Sequence, residues 1–299
     1  MRCASWALTM AVVGSVVACS LTTSLSGLSS GGPVEPAGGD ASPSADAHDD
    51  ATTDAAGDGA IASDATSEGG GGSGYRAMIL AEGPLAYYRL ADQGGTAKDE
   101  TGAHDGIYKG TVTHAAGAIA GDMNGAAVFD GSSGYVDVGD VLPFLARASF
   151  TIEAWVSPAS GGTDPECIAS KSYAQGGLSG GITEGYTVYL DSGSNTLNLM
   201  RLRASAGEAA QGGTLTNGTF AHVVATYDGD TLTLWMNGAS VASGPSTRDL
   251  VSHTSPLTLG ASRGGIYCYF RGALDEVAIY GAVLPQDRIA AHLKAGRGP

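Results

Sequence analysis

The segment HVVATYDGDTLTLWMNG, residues His222–Gly238, reads as two alternating runs reversed at Tyr227-Asp228-Gly229-Asp230. Asp-Gly at that point supplies the positive φ that a tight hairpin turn requires, so the segment is a β-hairpin. In FTIEAWV, the residues Phe150, Ile152, Ala154 and Val156 alternate with Thr151, Glu153, Trp155 and Ser157, the period of a strand with one buried face. The second face is then available for other uses. FRGALDEVAIY, Phe270–Tyr280, is a third strand. Together they predict an all-β fold, a two-sheet antiparallel sandwich.

The 299 residues could hold two ordinary domains, but steady strand-and-turn punctuation begins only near Tyr75, which leaves one large sandwich over residues 75–299. Forty-seven glycines suit a chain with many reversals. The net charge of −15 is unevenly divided: residues 20–74 carry nine acidic and no basic side chains, residues 75–299 carry 21 acidic and 14 basic ones. No Lys/Arg stripe crosses the sandwich, which argues against nucleic acid as a partner.

Met1-Arg2 precedes an apolar stretch, Ala7–Ala18, that is too short to span a bilayer and has the form of a secretory signal. Its end, Val16-Val17-Ala18-Cys19, resembles the lipobox of bacterial lipoproteins, in which the cysteine is lipidated and becomes the new N-terminus. That resemblance implies export and a lipid anchor on Cys19 in the cell envelope, with Ser20 favouring the outer membrane. The alternative is an ordinary cleavable signal in which Cys19 is incidental. Residues 20–74 contain no aromatic side chain and almost no large aliphatic after Leu28, so they cannot bury enough apolar surface to offset ordering. They are expected to form a disordered linker with a root-mean-square reach of about 40 Å.

From Leu85 onward the motifs run LAYYRL, DETGAHDG, AAVFDGSSGYVDV, FTIEAWV, ECIASK, GYTVYL, TLNLMRLR, HVVATYDGDTLTLWMNG, LTLG, FRGALDEVAIY and VLPQDRIAAHL. Their order resembles the laminin G-like, concanavalin A-like superfamily of lectin and glucanase domains over about residues 80–296. The resemblance implies a jelly roll of two antiparallel sheets, often with a calcium ion, and in many members glycan binding. Phe220-Ala221 stand where the family usually has a tryptophan before His222, and Trp235 stands where a tyrosine is commoner. Leu284-Pro285 opens a short C-terminal helix in which Ile289 and Leu293 pack on the sandwich and Gly296 acts as the stop.

Glycanases of this superfamily carry Glu-x-Asp-x-x-Glu, because acid and nucleophile must flank the scissile bond from one face. The nearest candidate is Asp275-Glu276, and neighbours in a regular strand point to opposite faces. Glu153 has no carboxylate two residues away. Gly177-Leu178-Ser179-Gly180-Gly181 matches G-x-S-x-G but sits in a glycine-crowded loop and not in a strand-to-helix turn. Six scattered histidines and the absence of C-x-x-C give no transition-metal or redox motif. The chain therefore reads as non-catalytic.

Cys167 and Cys268, the two cysteines of the sandwich, form either a disulfide, as an exported protein favours, or two buried thiols. Calcium would suit Asp99, Thr101 and Asp105 of the DETGAHDG loop, joined by Asp275, whose phase with Val277 and Ile279 points it inward. The competing account has Asp99 and Asp105 capping turns and Asp275 accepting backbone N–H groups. Lys171, Tyr173, Tyr186, Arg263, Tyr267 and Tyr269 offer the mix of rings and polar groups that lines a ligand cleft, and a Cys167–Cys268 bridge would cluster them. The same tyrosines could instead pack loops onto the sheets. By simple alternation Trp155 and Trp235 lie on the non-core face, as a stacking platform or under a covering element. The expected partner is a glycan or glycoconjugate, with an adhesion module for a protein partner as the alternative and a glycan hydrolase or lyase as the third reading.

Overall fold

The computed structural model describes residues 72–162, 165–174, 182–191, 193–262 and 264–298. Cys19, most of the expected linker, the Gly177–Gly181 motif and Arg263 lie outside the described residues. The elements run α1 (Gly72–Ala81), β1 (Ala86–Tyr88), β2 (Thr96–Ala97), β3 (Gly106–Lys109), β4 (Val112–Ala116), β5 (Gly125–Asp130), β6 (Tyr135–Gly139), β7 (Phe150–Pro158), β8 (Glu166–Ala174), β9 (Ile182–Leu190), β10 (Thr196–Arg203), β11 (Ala206–Thr214), β12 (Ala221–Tyr227), β13 (Thr231–Met236), β14 (Ala239–Pro245), β15 (Leu257–Leu259), β16 (Arg271–Tyr280) and α2 (Gln286–Arg297).

Two antiparallel sheets result, the sandwich that the alternating segments predict, with the jelly-roll-like layering that the resemblance implies. The first has the order β14-β13-β12-β7-β16-β5-β4, with β1 paired to β16; the second has the order β11-β10-β9-β8-β15-β6-β3-β2. The predicted hairpin is β12–β13, turning at Gly229 with φ 108°. Phe150, Ile152, Ala154 and Val156 face a core shared between the sheets with Val188, Leu199, Leu234 and Ile279.

The other face of β7 is not available. All nine residues of β7 are buried, and a second core of Tyr75, Ile79, Trp155, Val224, Tyr280 and Ile289 forms where α1 and α2 cover the outer face of the first sheet. Trp155 lies beneath this layer, and Trp235 is partly buried against it, so neither ring forms an open platform. α2 begins after Pro285 as expected, but Gly296 lies within it rather than stopping it. A Cβ at Gly296 would come within 2.3 Å of the Trp155 ring, so the glycine is there to let the helix approach the indole. α1 was not foreseen.

Strand β16 departs from regular alternation at Glu276. Asp275 pairs with Trp155 and Ala278 pairs with Glu153, so three steps on β16 oppose two on β7, and Glu276, at φ 52°, is the extra residue of a β-bulge. Two expectations are thereby corrected. Asp275 shares the helix-covered side with Trp155 and is out of phase with Val277 and Ile279. Glu276 is reached on that same side by Tyr87, so the adjacent carboxyls do not point to opposite faces. Both are buried, and neither opens onto a groove.

Candidate functional site

The chemistry that the alternation left open gathers at one end of the sandwich. Cys167, near the start of β8, is bonded to Cys268 with their Cα atoms 5.3 Å apart. The Cys167 N–H also donates to the Cys268 carbonyl at 2.8 Å. The connection between β15 and β16 folds back through an antiparallel bridge between Ser262 and Tyr267, so disulfide and hydrogen bond together pin this fold to the second sheet. That places Tyr267 and Tyr269 beside the start of β8.

There a cavity of about 240 Å³ is lined by Glu166, Arg271, Tyr267 and Tyr269, with Gly131 and Gly162 in its wall. Glu166 opens β8 in one sheet and Arg271 opens β16 in the other, so the cavity lies between the two sheet ends. The Glu166 carboxyl accepts the Arg271 backbone N–H at 3.3 Å, and burial holds its pKa above the usual carboxylate range. Arg271 Nε is buried and has no hydrogen-bond partner among the described residues. The side chains of Glu166 and Arg271 thus line one space with no hydrogen bond between them. The glycines keep that space open: a Cβ at Gly162 would lie 1.7 Å from Glu166 Oε1, and one at Gly131 would lie 2.8 Å from the Arg271 side chain.

Lys171, Tyr173 and Tyr186 do not join this cluster. Lys171 and Tyr173 lie within β8, four and six residues beyond Cys167, a displacement of about 13 and 20 Å along a strand. The Lys171 ammonium is buried and donates to Asp140 Oδ1 at 2.6 Å and to the Ser255 carbonyl at 2.8 Å. Tyr173 is exposed, with its ring 6.2 Å from that of His253. Tyr186 is wholly buried in the inter-sheet core beside Phe150, and its hydroxyl donates to the Leu142 carbonyl at 2.7 Å. Its place in the middle of β9, on the core-facing side, explains the correction. Glu166 and Arg271 escaped sequence reasoning because they lie 105 residues apart and meet only when the two sheets stack.

Asp99, Thr101 and Asp105 form a closed turn network. The Asp99 carboxylate accepts the N–H groups of Tyr87, Thr101, Ala103 and His104 and the Thr101 hydroxyl, while Asp105 accepts the Asp99 N–H at 2.9 Å. Burial pushes the Asp99 pKa up, but these bonds outweigh it and hold the carboxyl below its usual value. Asp275 accepts the Ala118 N–H at 2.7 Å elsewhere. No group of three or more metal-ligating side chains gathers among the described residues. Calcium needs six to eight oxygens with lone pairs to offer, and the Asp99 carboxylate is already engaged by five donors, so these residues do not fit the ion. Chelation is accordingly expected to leave the melting midpoint unchanged in differential scanning calorimetry; a rise of several degrees on restoring calcium would contradict this donor assignment.

The model of the concanavalin A-like lectin/glucanase superfamily matches residues 130–290. No curated protein matches the chain in sequence. Among solved structures the chain is similar to domain 4 of AbnA, an extracellular arabinanase of Geobacillus stearothermophilus in complex with arabinotriose, at 17% identity and TM-score 0.54, covering 71% of this chain and 98% of that one. It is also similar to the binding domain of Paraclostridial Mosquitocidal Protein 1, at 14% identity and TM-score 0.53, covering 69% of this chain and 51% of that one. A third likeness is to the binding domain of botulinum neurotoxin DC in complex with SialylT, at 12% identity and TM-score 0.52, covering 72% and 52%. The chain spans about half the length of these toxin domains. At such identities the likeness is one of fold.

Proposed function

The chain belongs to the concanavalin A-like lectin/glucanase superfamily, and from that premise we propose that its sandwich is a non-catalytic carbohydrate-binding module, held at the cell envelope by a lipid on Cys19. The observation that carries the reading is the cavity between the sheet ends. A sugar hydroxyl both donates and accepts, and the cavity is lined by a carboxyl, Glu166, and a guanidinium, Arg271, without a direct bond between their side chains, beside two tyrosine rings. At about 240 Å³ the cavity is smaller than the roughly 300 Å³ at which drug-sized sites begin, which suits one ring or a chain end rather than several units. Among the described residues Glu166 is the one carboxylate lining the cavity, and Asp275 and Glu276 are enclosed under the first sheet's outer layer, so no pair of opposed carboxylates of the kind a retaining glycanase uses is placed there by those residues. Neighbours named for binding arabinotriose or SialylT are consistent with this reading.

A glycan array probed with the full chain tests it. Glu166→Gln, which keeps the shape and removes the charge, is expected to weaken the best-bound glycan about tenfold or more, because it leaves a ligand hydroxyl without its charged acceptor. Silence of the wild-type chain across all glycans would overturn the reading and favour an adhesion module for a protein partner.

A further inference from the structure

A second cavity of about 240 Å³ lies against the first and shares Tyr267 and Cys268 with it. Its other walls come from the outer face of the second sheet. Leu197 and Leu199 of β10 point into the inter-sheet core, so Met200 and Leu202, one step out of phase with Leu199 and Arg201, face outward. On β9, Val188 and Leu190 face the core and Tyr189 faces outward. Tyr189, Met200, Leu202 and the disulfide therefore form an apolar floor where an uncovered antiparallel sheet usually presents polar side chains. Gly185 stands opposite Leu202 and takes no room from it.

The first sheet's outward apolar residues are covered by α1 and α2. No helix among the described residues covers this floor, and it continues directly from the Glu166–Arg271 cavity across Tyr267. Given the function proposed above, on which this inference rests, we infer that the paired cavities recognise a glycan in which the unit beside the bound ring carries a methyl group, as an acetyl or deoxy substituent. The ring places its hydroxyls on Glu166 and Arg271. The methyl is buried against Met200, Leu202 and Tyr189. Burying one methyl-sized group corresponds to about a fourfold gain in affinity.

Matched glycans differing in the methyl-bearing group, such as chitotriose and cellotriose, printed on one array and then titrated calorimetrically against the full chain, test the inference. The wild-type chain is expected to prefer the methyl-bearing member of each pair it binds. Met200→Ser, at a partly exposed position, is expected to remove that preference while leaving the melting midpoint unchanged. Binding without preference, or a preference that Met200→Ser leaves intact, overturns this inference and leaves the proposed function standing. A wild-type chain that binds no glycan removes the proposed function, and this inference falls with it.

Discussion

Replacing Glu153 with alanine is expected to destabilise the protein by about 3–5 kcal/mol, the range for removing one partner from a buried charged network. Glu153 lies on β7 with no exposed surface, under the two helices. Its carboxylate accepts His222 Nε2–H from β12 at 2.7 Å, His292 Nδ1–H from α2 at 3.0 Å, and the hydroxyls of Tyr280 at 3.2 Å and Tyr75 at 3.5 Å. A carboxylate can only accept, so these bonds fix both histidine tautomers. Tyr75 in turn accepts the Trp155 indole N–H at 2.9 Å. One side chain thereby ties both helices to three strands, and its removal strands four buried donors. For a folded part of this size the loss corresponds to a fall of roughly 10 °C in melting midpoint. A fall below about 2 °C would show that the network does not hold the layers together.

The same residue sets a pH dependence. Burial alone would raise the Glu153 pKa, but the bonds from His222 and His292 outweigh it and bring it down to about 2. The folded carboxyl binds its proton less tightly than the unfolded one. Its contribution is therefore complete above the unfolded value of about 4.3 and is lost as pH falls towards 2, amounting to about 3 kcal/mol. Asp275 and Glu276 act in the opposite sense. Burial comes first among the causes that raise both, and like-charge repulsion adds to it for Asp275, so their contribution is present at low pH and lost as pH rises through their folded values. The difference between wild type and Glu153→Gln across pH 2–5 isolates the Glu153 component, and parallel stability curves would refute it.

Opening the Cys167–Cys268 bridge is the second large effect. The cysteines are 101 residues apart, and closing a loop of that length stabilises the folded state by about 4–5 kcal/mol in the chain-entropy model, an upper figure. Reduction, or Cys167→Ala with Cys268→Ala, is expected to lower the melting midpoint by about 10–20 °C. Because Cys268 lines both cavities, glycan affinity should fall at temperatures where the reduced chain is still folded. A reduced chain that melts and binds like the oxidised one would remove both expectations.

The inward half of each strand was legible because alternation is a property of the local backbone. Phe150, Ile152, Ala154 and Val156 face the core that their spacing predicts, and Asp228-Gly229 turns the hairpin it signals. The outward half was not legible. Alternation put Glu153 and Trp155 on the non-core face and left open whether Trp155 was a platform or lay under a cover, which α1 and α2 provide, and the one sign of α1 is the four-residue spacing of Tyr75 and Ile79 in a glycine-rich run. The bulge at Glu276 had no signal in composition, and it reversed the inferred direction of Asp275 while leaving Glu276 on the outer side. Of the ligand residues expected at the disulfide, Tyr267 and Tyr269 are there, whereas Tyr186 was claimed by the core and Lys171 by Asp140.

By itself, then, the order of residues determined which side chains form the inter-sheet core and where the chain reverses, since each depends on neighbours two to four positions away. Only the tertiary structure decided which outer face is sealed and where acceptor meets donor. Glu153 finds His292 across 139 residues, and Glu166 meets Arg271 across 105. Contacts of that range arise from the stacking of whole layers, a choice made by the summed burial of both sheets and invisible in any short stretch of sequence.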